Sequence, residues 1–288
     1  MDARSITRLG MLAIGLGIGA AVASTPVVAW ADSDFQISID GHDLFPATDN
    51  LATATSGTGD IAIAFGDGAS ASANGGIGDF ALADGSDAYA MSGGSGTPDS
   101  TAQVVSSGAN FNTAVDIGNN TGTGDGAIAG IGGSDDTTSS GDTAIDVGNN
   151  SANYDGALAI AGNDNHSSAF GANDYALTGI GNHNFADIVG PNSEAVAGGD
   201  IIGGINGNNE VAYVFDPFGT AGDTARSGPN FDGTAGNSDL AAVLGVDDKV
   251  AGADGGNLVY DIVTALGHET GTAASTGGGL LAELLSLF

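Results

Sequence analysis

The chain has 288 residues, with 35 Asp+Glu against 4 Lys+Arg, 51 Gly and no Cys, giving a formal net charge of −31. That composition excludes a disulfide scaffold, a zinc-thiolate site, a thiol enzyme and any large basic surface for gripping phosphate backbones, so nucleic acid is not expected as a partner.

Arg4 and Arg8 precede an apolar run from Leu9 to Ala23, followed by Pro26 and the triplet Ala29-Trp30-Ala31. A positive head, a hydrophobic middle and a small-residue exit, in that order, predict an export signal over residues 1–31. Cleavage is expected after Ala31, with a cut after Ala23 as the alternative. A retained membrane anchor fits less well, because Ser24, Thr25 and Pro26 interrupt the run and a span needs ~20 predominantly apolar residues. No later stretch is long and apolar enough to cross a bilayer. The exported remainder keeps Arg226 and Lys249 as its only Lys or Arg residues. It is therefore expected in the cell envelope or outside the cell, as an almost purely anionic chain.

Residues 32–56 form an N-terminal strand segment around Phe35-Gln36-Ile37-Ser38-Ile39. Residues 57–205 are Gly/Ala/Asp/Asn-rich β repeats. Their apolar residues alternate with small or polar ones in short blocks, as in Asp60-Ile61-Ala62-Ile63-Ala64-Phe65, and alternation at period two is the strand signal. Gly-Asp, Asp-Gly and Gly-Asn pairs separate the blocks, and these residues tolerate the positive φ of tight turns. Shifting the sequence by thirty lays Thr113-Ala114-Val115-Asp116-Ile117-Gly118-Asn119-Asn120 on Thr143-Ala144-Ile145-Asp146-Val147-Gly148-Asn149-Asn150 without a gap. A shift of nineteen lays Gly59-Asp60-Ile61-Ala62-Ile63-Ala64 on Gly78-Asp79-Phe80-Ala81-Leu82-Ala83.

Spacings of this kind behave as multiples of one strand-plus-turn unit, which buries a face only when copies stack. The expected fold is all-β: a β-solenoid-like stack of short strands with an alanine-rich interior and partly disordered loops at the tracts Ser92 to Ser100 and Ser134 to Ser140. Disorder competes with this reading, because Leu, Ile, Val and Phe make up only about a fifth of the exported part, beside the ~20% level typical of disordered chains. An ordinary β-sandwich is the third possibility.

Residues 206–263 form a C-terminal β segment containing Val211-Ala212-Tyr213-Val214-Phe215. In residues 264–288 a flexible spacer leads to a short amphipathic helix whose apolar face carries Leu280, Leu281, Leu284, Leu285 and Phe288. Such a short helix must dock to be stable, either as a cap on its own chain or on a partner.

The run Ile61-Ala62-Ile63-Ala64-Phe65-Gly66-Asp67-Gly68-Ala69-Ser70-Ala71-Ser72-Ala73 resembles the β-roll repeats of trimeric autotransporter adhesin heads, with Phe65 as one extra residue. The coiled-coil stalk and C-terminal membrane strands of that family have no counterpart here. Across most of residues 32 to 263 the texture is similar to exported Gly/Ala/Asn-rich repeat proteins of mycobacteria. The pattern is carried by Asp34 to Gly41, Gly59 to Ala64, Val211 to Gly219 and Asp261-Ile262-Val263. That resemblance implies an envelope or secreted protein and supplies no activity.

No catalytic, cofactor-binding or metal residue is assigned. His42, His166, His183 and His268 have no second ligand at metal spacing and no triad partner, so each reads as a polar loop residue. Calcium is the leading chemical alternative, since hard cations want oxygen ligands. Gly75-Gly76-Ile77-Gly78-Asp79-Phe80-Ala81-Leu82 approaches the calcium nonapeptide, with its Asp one place early. Asp67, Asp125 and Asp155 otherwise read as solvated turn residues. A β-helix enzyme acting on polysaccharides would need clustered carboxylates beside aromatics, whereas the aspartates here recur as turn punctuation. Thr53-Ala54-Thr55 is too isolated for an ice-binding array. Asn119, Asn149 and Asn165 stand in glycosylation sequons. The expected function is a non-enzymatic structural or interaction surface whose partner is a protein, a cation or an envelope polymer, with a calcium-stabilised extracellular module as the alternative.

Overall fold

The computed structural model describes residues 34–44, 51–94, 109–121, 126–131, 139–151, 156–160, 162–199, 207–215, 224–228, 240–243, 251–254, 260–263 and 273–275. The predicted export signal, most of both low-complexity tracts and the predicted C-terminal helix lie outside these residues.

In chain order the strands are β1 (Phe35–Ile39), β2 (His42–Asp43), β3 (Thr53–Ser56), β4 (Ile61–Phe65), β5 (Ser70–Ala73), β6 (Phe80–Asp84), β7 (Tyr89–Gly94) and β8 (Thr113–Ile117). Next come β9 (Gly126–Ile131), β10 (Thr143–Val147), β11 (Gly156–Ile160), β12 (Gly162–Asn163), β13 (His166–Phe170), β14 (Tyr175–Thr178), β15 (Gly181–Asn182) and β16 (Phe185–Val189). The last are β17 (Glu194–Ala197), β18 (Val211–Phe215), β19 (Thr224–Gly228), β20 (Leu240–Val243), β21 (Ala251–Asp254), β22 (Tyr260–Val263) and β23 (Ala273–Ser275). No helix occurs among the described residues.

The chain is all-β, built from stacked and mostly parallel sheets. One sheet of 11 strands runs β2-β1-β4-β6-β8-β10-β13-β16-β18-β20-β22, and one of 10 runs β23-β21-β19-β17-β14-β11-β9-β7-β5-β3. From β3 onward successive strands alternate between the two, apart from β12 and β15, which pair with each other. Parallel pairing separates this arrangement from an antiparallel sandwich.

The sequence offsets are pairing offsets. Thr113 to Ile117 of β8 pair in register with Thr143 to Val147 of β10, and Ile61 to Phe65 of β4 pair with Phe80 to Asp84 of β6. Register at period two sends every second residue inward, so one column of the first sheet reads Ala62, Ala81, Ala114, Ala144, Ser167, Ala186, Ala212, Ala241. The facing column of the second sheet reads Ala54, Ala71, Ala90, Ala127, Ala157, Ala176, Ala195, Ala225. These alanines form one buried cluster with almost no solvent exposure. The interior is thus filled by methyl groups, which is how a chain poor in large apolar residues excludes water.

The N-terminal end is closed by a different device. β1 runs antiparallel to β4, with Phe35 stacked on Phe65 at a centroid distance of 4.5 Å, and Phe35, Ile37 and Ile63 form a small buried cluster there. Side chains of the same segment cover the edge of β3. Gln36 Oε1 accepts the Ala54 N–H at 3.0 Å, Ser38 Oγ accepts the Ser56 N–H at 3.1 Å, and Asp34 Oδ1 accepts the Leu51 N–H at 2.9 Å. An edge that would offer unpaired donors to another chain is capped by side-chain acceptors.

Candidate functional site

Two features stand out from the regular stack: a buried column of acids and amides at one turn, and an exposed apolar column on the outer face of the larger sheet.

The residue immediately before each of β4, β6, β8, β10, β13, β16 and β18 of the larger sheet occupies the turn column. Reading along the stack it is Asp60, Asp79, Asn112, Asp142, Asn165, Asn184 and Glu210, all at 2% exposure or less. Each side chain accepts the backbone N–H of the next member. Asp79 N donates to Asp60 Oδ1 at 2.9 Å, Asn112 N to Asp79 Oδ1 at 2.9 Å and Asp142 N to Asn112 Oδ1 at 3.0 Å. Asn165 N donates to Asp142 Oδ1 at 2.9 Å, Asn184 N to Asn165 Oδ1 at 3.0 Å and Glu210 N to Asn184 Oδ1 at 3.0 Å. The amide members also use their donors: the Nδ2 groups of Asn112, Asn165 and Asn184 reach the carbonyls of Ser139, Gly181 and Gly207 at 3.2, 3.1 and 3.0 Å. Both halves of the amide are satisfied, which is what a buried polar group requires.

The carboxyl members are electrostatically different. Burial pushes Asp60 up to about 6, although the backbone N–H of Asp79 favours its charged form. Burial pushes Asp79 and Asp142 up to about 7. The Oδ2 atoms of Asp60 and Asp79 are buried with no hydrogen-bond partner, while Asp142 Oδ2 takes the Ser139 hydroxyl at 2.5 Å.

A second pair of acids enters the core itself. Asp116 of β8 and Asp146 of β10 are buried and point inward beside the alanines. Asn120 Nδ2 donates to Asp116 Oδ2, and Asn150 Nδ2 donates to Asp146 Oδ2, both at 2.7 Å. The spacing Asp-x-x-x-Asn within Thr113–Asn120 and Thr143–Asn150 is the signal for this pairing.

On the outer face of the larger sheet, pairing registers Ile117, Val147, Phe170, Val189 and Phe215 as one column across five consecutive strands. At the ~4.8 Å separation of paired strands it extends roughly 19 Å. Ile117, Phe170 and Val189 are 39%, 41% and 36% exposed. Phe185, also 36% exposed, lies on the same face and stacks on His166 at 5.0 Å.

Several sequence expectations are corrected here. Aspartates do recur at the turns, but Asp60, Asp79 and Asp142 are buried there. Asp67 is exposed, as expected, and Asp125 and Asp155 lie outside the described residues. His166 is not a loop residue but a member of β13, and burial lowers its pKa. His42 pairs through β2, His183 sits 3.5 Å from Asp164 on the surface, and His268 lies outside the described residues. Among the described residues no group of three or more His, Cys, Asp or Glu is placed to hold a metal. Arg226 pairs with Glu194 at 3.1 Å. Asn165 of the third sequon is fully enclosed, and Asn119 and Asn149 are joined by a backbone-to-side-chain bond of 2.9 Å.

No protein-family model matches the chain, and neither does any curated protein or solved structure.

Proposed function

We propose that the chain is an exported, non-enzymatic β-solenoid that works as an interaction or structural surface of the cell envelope or extracellular space. Its repeats stack into a rod, and the outer face of the larger sheet meets the partner. The observation that carries this reading is the apolar column Ile117, Val147, Phe170, Val189 and Phe215, in which Ile117, Phe170 and Val189 are exposed and Val147 and Phe215 half-buried. Scattered apolar residues are ordinary on a protein surface, but five aligned on consecutive strands make a continuous strip of the kind that marks binding sites. The formal charge of −31 sets the partner's chemistry. Anionic membranes and nucleic acids are repelled, and a neutral or basic protein or a neutral envelope polymer with an apolar stripe is favoured.

The test is envelope retention. The double substitution Phe170→Ser with Val189→Ser removes the centre of the strip without touching the alanine interior. The variant should keep the β-type circular dichroism of the parent and lose at least about tenfold of its retention in the envelope fraction, the scale expected when two central anchors are truncated. Retention equal to the parent's would remove this face as the interaction surface.

A further inference from the structure

The turn column contains one arrangement that the amide members do not explain. Asp60 and Asp79 stand on adjacent strands with their Oδ1 atoms committed to backbone N–H groups at 2.9 Å. Their Oδ2 atoms are enclosed and accept no hydrogen bond of ordinary length, in residues 0% and 2% exposed; the backbone N–H groups of Gly78 and Gly76 act on Asp60 and Asp79 in favour of the charged form, by less than burial opposes it. Asn74, which follows β5, lies beside both. A Cβ placed on Gly57 would lie 2.8 Å from Asp60 Oδ2 and 3.6 Å from Asn74 Oδ1, and one placed on Gly93 would lie 2.4 Å from both Asp79 Oδ2 and the Asn74 carbonyl oxygen. The amide of Asn74 is oriented by its donor, which reaches Ser72 Oγ at 2.8 Å, so that its oxygen is the end left near Asp60. The oxygens of Asn74 thus lie near carboxyl oxygens that accept no hydrogen bond, an arrangement better suited to carboxylic acids, whose O–H is a donor, than to two ionised carboxylates.

We propose that Asp60 and Asp79 form a proton-operated clamp at the N-terminal end of the stack, taking up protons in mild acid and donating them toward the oxygens of Asn74, which fastens β3 through β7. Burial holds both carboxyls near neutrality, at about 6 and about 7. The charged groups acting on the pair are all acids: Asp60 on Asp79, and Asp40 on Asp60 from the turn between β1 and β2, where its own Oδ1 accepts the Gly59 N–H at 2.8 Å. A proton fits the site better than a calcium ion, because calcium takes 6–8 oxygen ligands and two carboxyls with one asparagine fall short of that number.

The sign follows from linkage. A carboxyl whose folded value lies above its unfolded value of about 3.8 binds more protons in the folded state across that interval. The stability it contributes is fully present below the unfolded value and is lost as pH rises through the folded one.

The test uses thermal melts of the full chain between pH 8 and pH 5, together with carboxyl-carbon NMR titration of the unmodified protein. The midpoint should rise by roughly 5–10 °C toward pH 5, the scale of a few kcal/mol in a domain of this size. Asp79→Asn, which matches the amides elsewhere in the column, should raise the midpoint at pH 8 and flatten the pH dependence by the share of this group, while Asp142, also raised to about 7, keeps its own. Asp60→Asn should do the same in part, whereas exposed Asp67→Asn should leave the slope unchanged. Carboxyl carbons assigned to Asp60 and Asp79 that titrate between about pH 6 and 7, separately from that of Asp142, would support the clamp without any variant. Three results would overturn it: unchanged slopes in both buried variants, carboxyl carbons that all titrate below about pH 4.5, or stabilisation by millimolar calcium at pH 8 that Asp79→Asn abolishes. The last would reassign the pair to a cation.

Discussion

Asn165 shows what the turn column asks of a single residue. Its oxygen takes the Asn184 N–H at 3.0 Å and its amide nitrogen donates to the Gly181 carbonyl at 3.1 Å, with the side chain fully enclosed. Truncation leaves a buried donor and a buried acceptor unpaired, and each costs about 1–3 kcal/mol. Asn165→Ala is therefore expected to lower unfolding stability by about 2–4 kcal/mol in urea titrations, while an exposed control such as Ser86→Ala changes it by less than about 0.5 kcal/mol. This residue also marks the boundary of what the sequence reveals. In sequence Asn165 reads as a sequon and as loop punctuation, because Gly, Asn and Asp crowd every turn alike. Its burial becomes legible only when strands are aligned by their first residue, which places Asp60, Asp79, Asn112, Asp142, Asn165, Asn184 and Glu210 in one column. The same holds for Asp116 and Asp146. Their alternation places them on the inner face, yet their charge argues for solvent until Asn120 and Asn150 are seen to supply the donors.

At the scale of the strand, alternation was the informative signal, because a period of two leaves no freedom about which face an alanine takes. The blocks at Ile61–Phe65, Thr113–Ile117 and Val211–Phe215 are strands at the expected places. The alanine-rich interior was legible from that alternation; what it did not show is that larger aliphatics mostly face away from the shared core, with Ile188 and Val214 as the exceptions that enter it. Met91, Ile128, Leu158 and Leu177 form their own cluster on consecutive strands of the smaller sheet, while the alanines between them hold the interior. Glycine closes the strands for a matching steric reason. A Cβ on Gly118 would lie 1.4 Å from the Gly148 carbonyl oxygen, so successive turns approach too closely for any side chain. An interior of this width should reject added volume. Ala127, at 0% exposure, is stacked between Ala90 and Ala157, and Ala127→Leu forces in three further carbons. Overpacking of this kind costs about 1–3 kcal/mol and more where the backbone cannot shift, so the variant should melt well below the parent in calorimetry. Leu158→Ala, on the other face, should cost about 2–5 kcal/mol by cavity formation, and comparing the two distinguishes a crowded interior from an ordinary core.

At the scale of the molecule, stacked strands touch only their immediate neighbours, so stability is shared locally and an end can open before the middle does. The acidic surface adds a uniform outward pressure, since 35 acids face 4 Lys+Arg across the whole sequence. Under those two conditions the closure of the first strands matters more than its size suggests. Gln36 and Ser38 supply acceptors to the N–H groups of Ala54 and Ser56, and nothing else among the described hydrogen bonds serves those two donors. Replacing both, Gln36→Ala with Ser38→Ala, exposes the edge of β3 while leaving the β1–β4 pairing and the Phe35–Phe65 stack in place. Amide hydrogen exchange should then quicken at β3 and β5 and fall off in effect along the stack, with β13 to β17 as protected as in the parent. A loss of protection spread evenly over all strands would mean that the molecule opens as one cooperative unit. In that case the column hydrogen bonds, which tie each turn to the next at 2.9 to 3.0 Å from Asp60 to Glu210, must transmit stability along the full length instead of between neighbours alone.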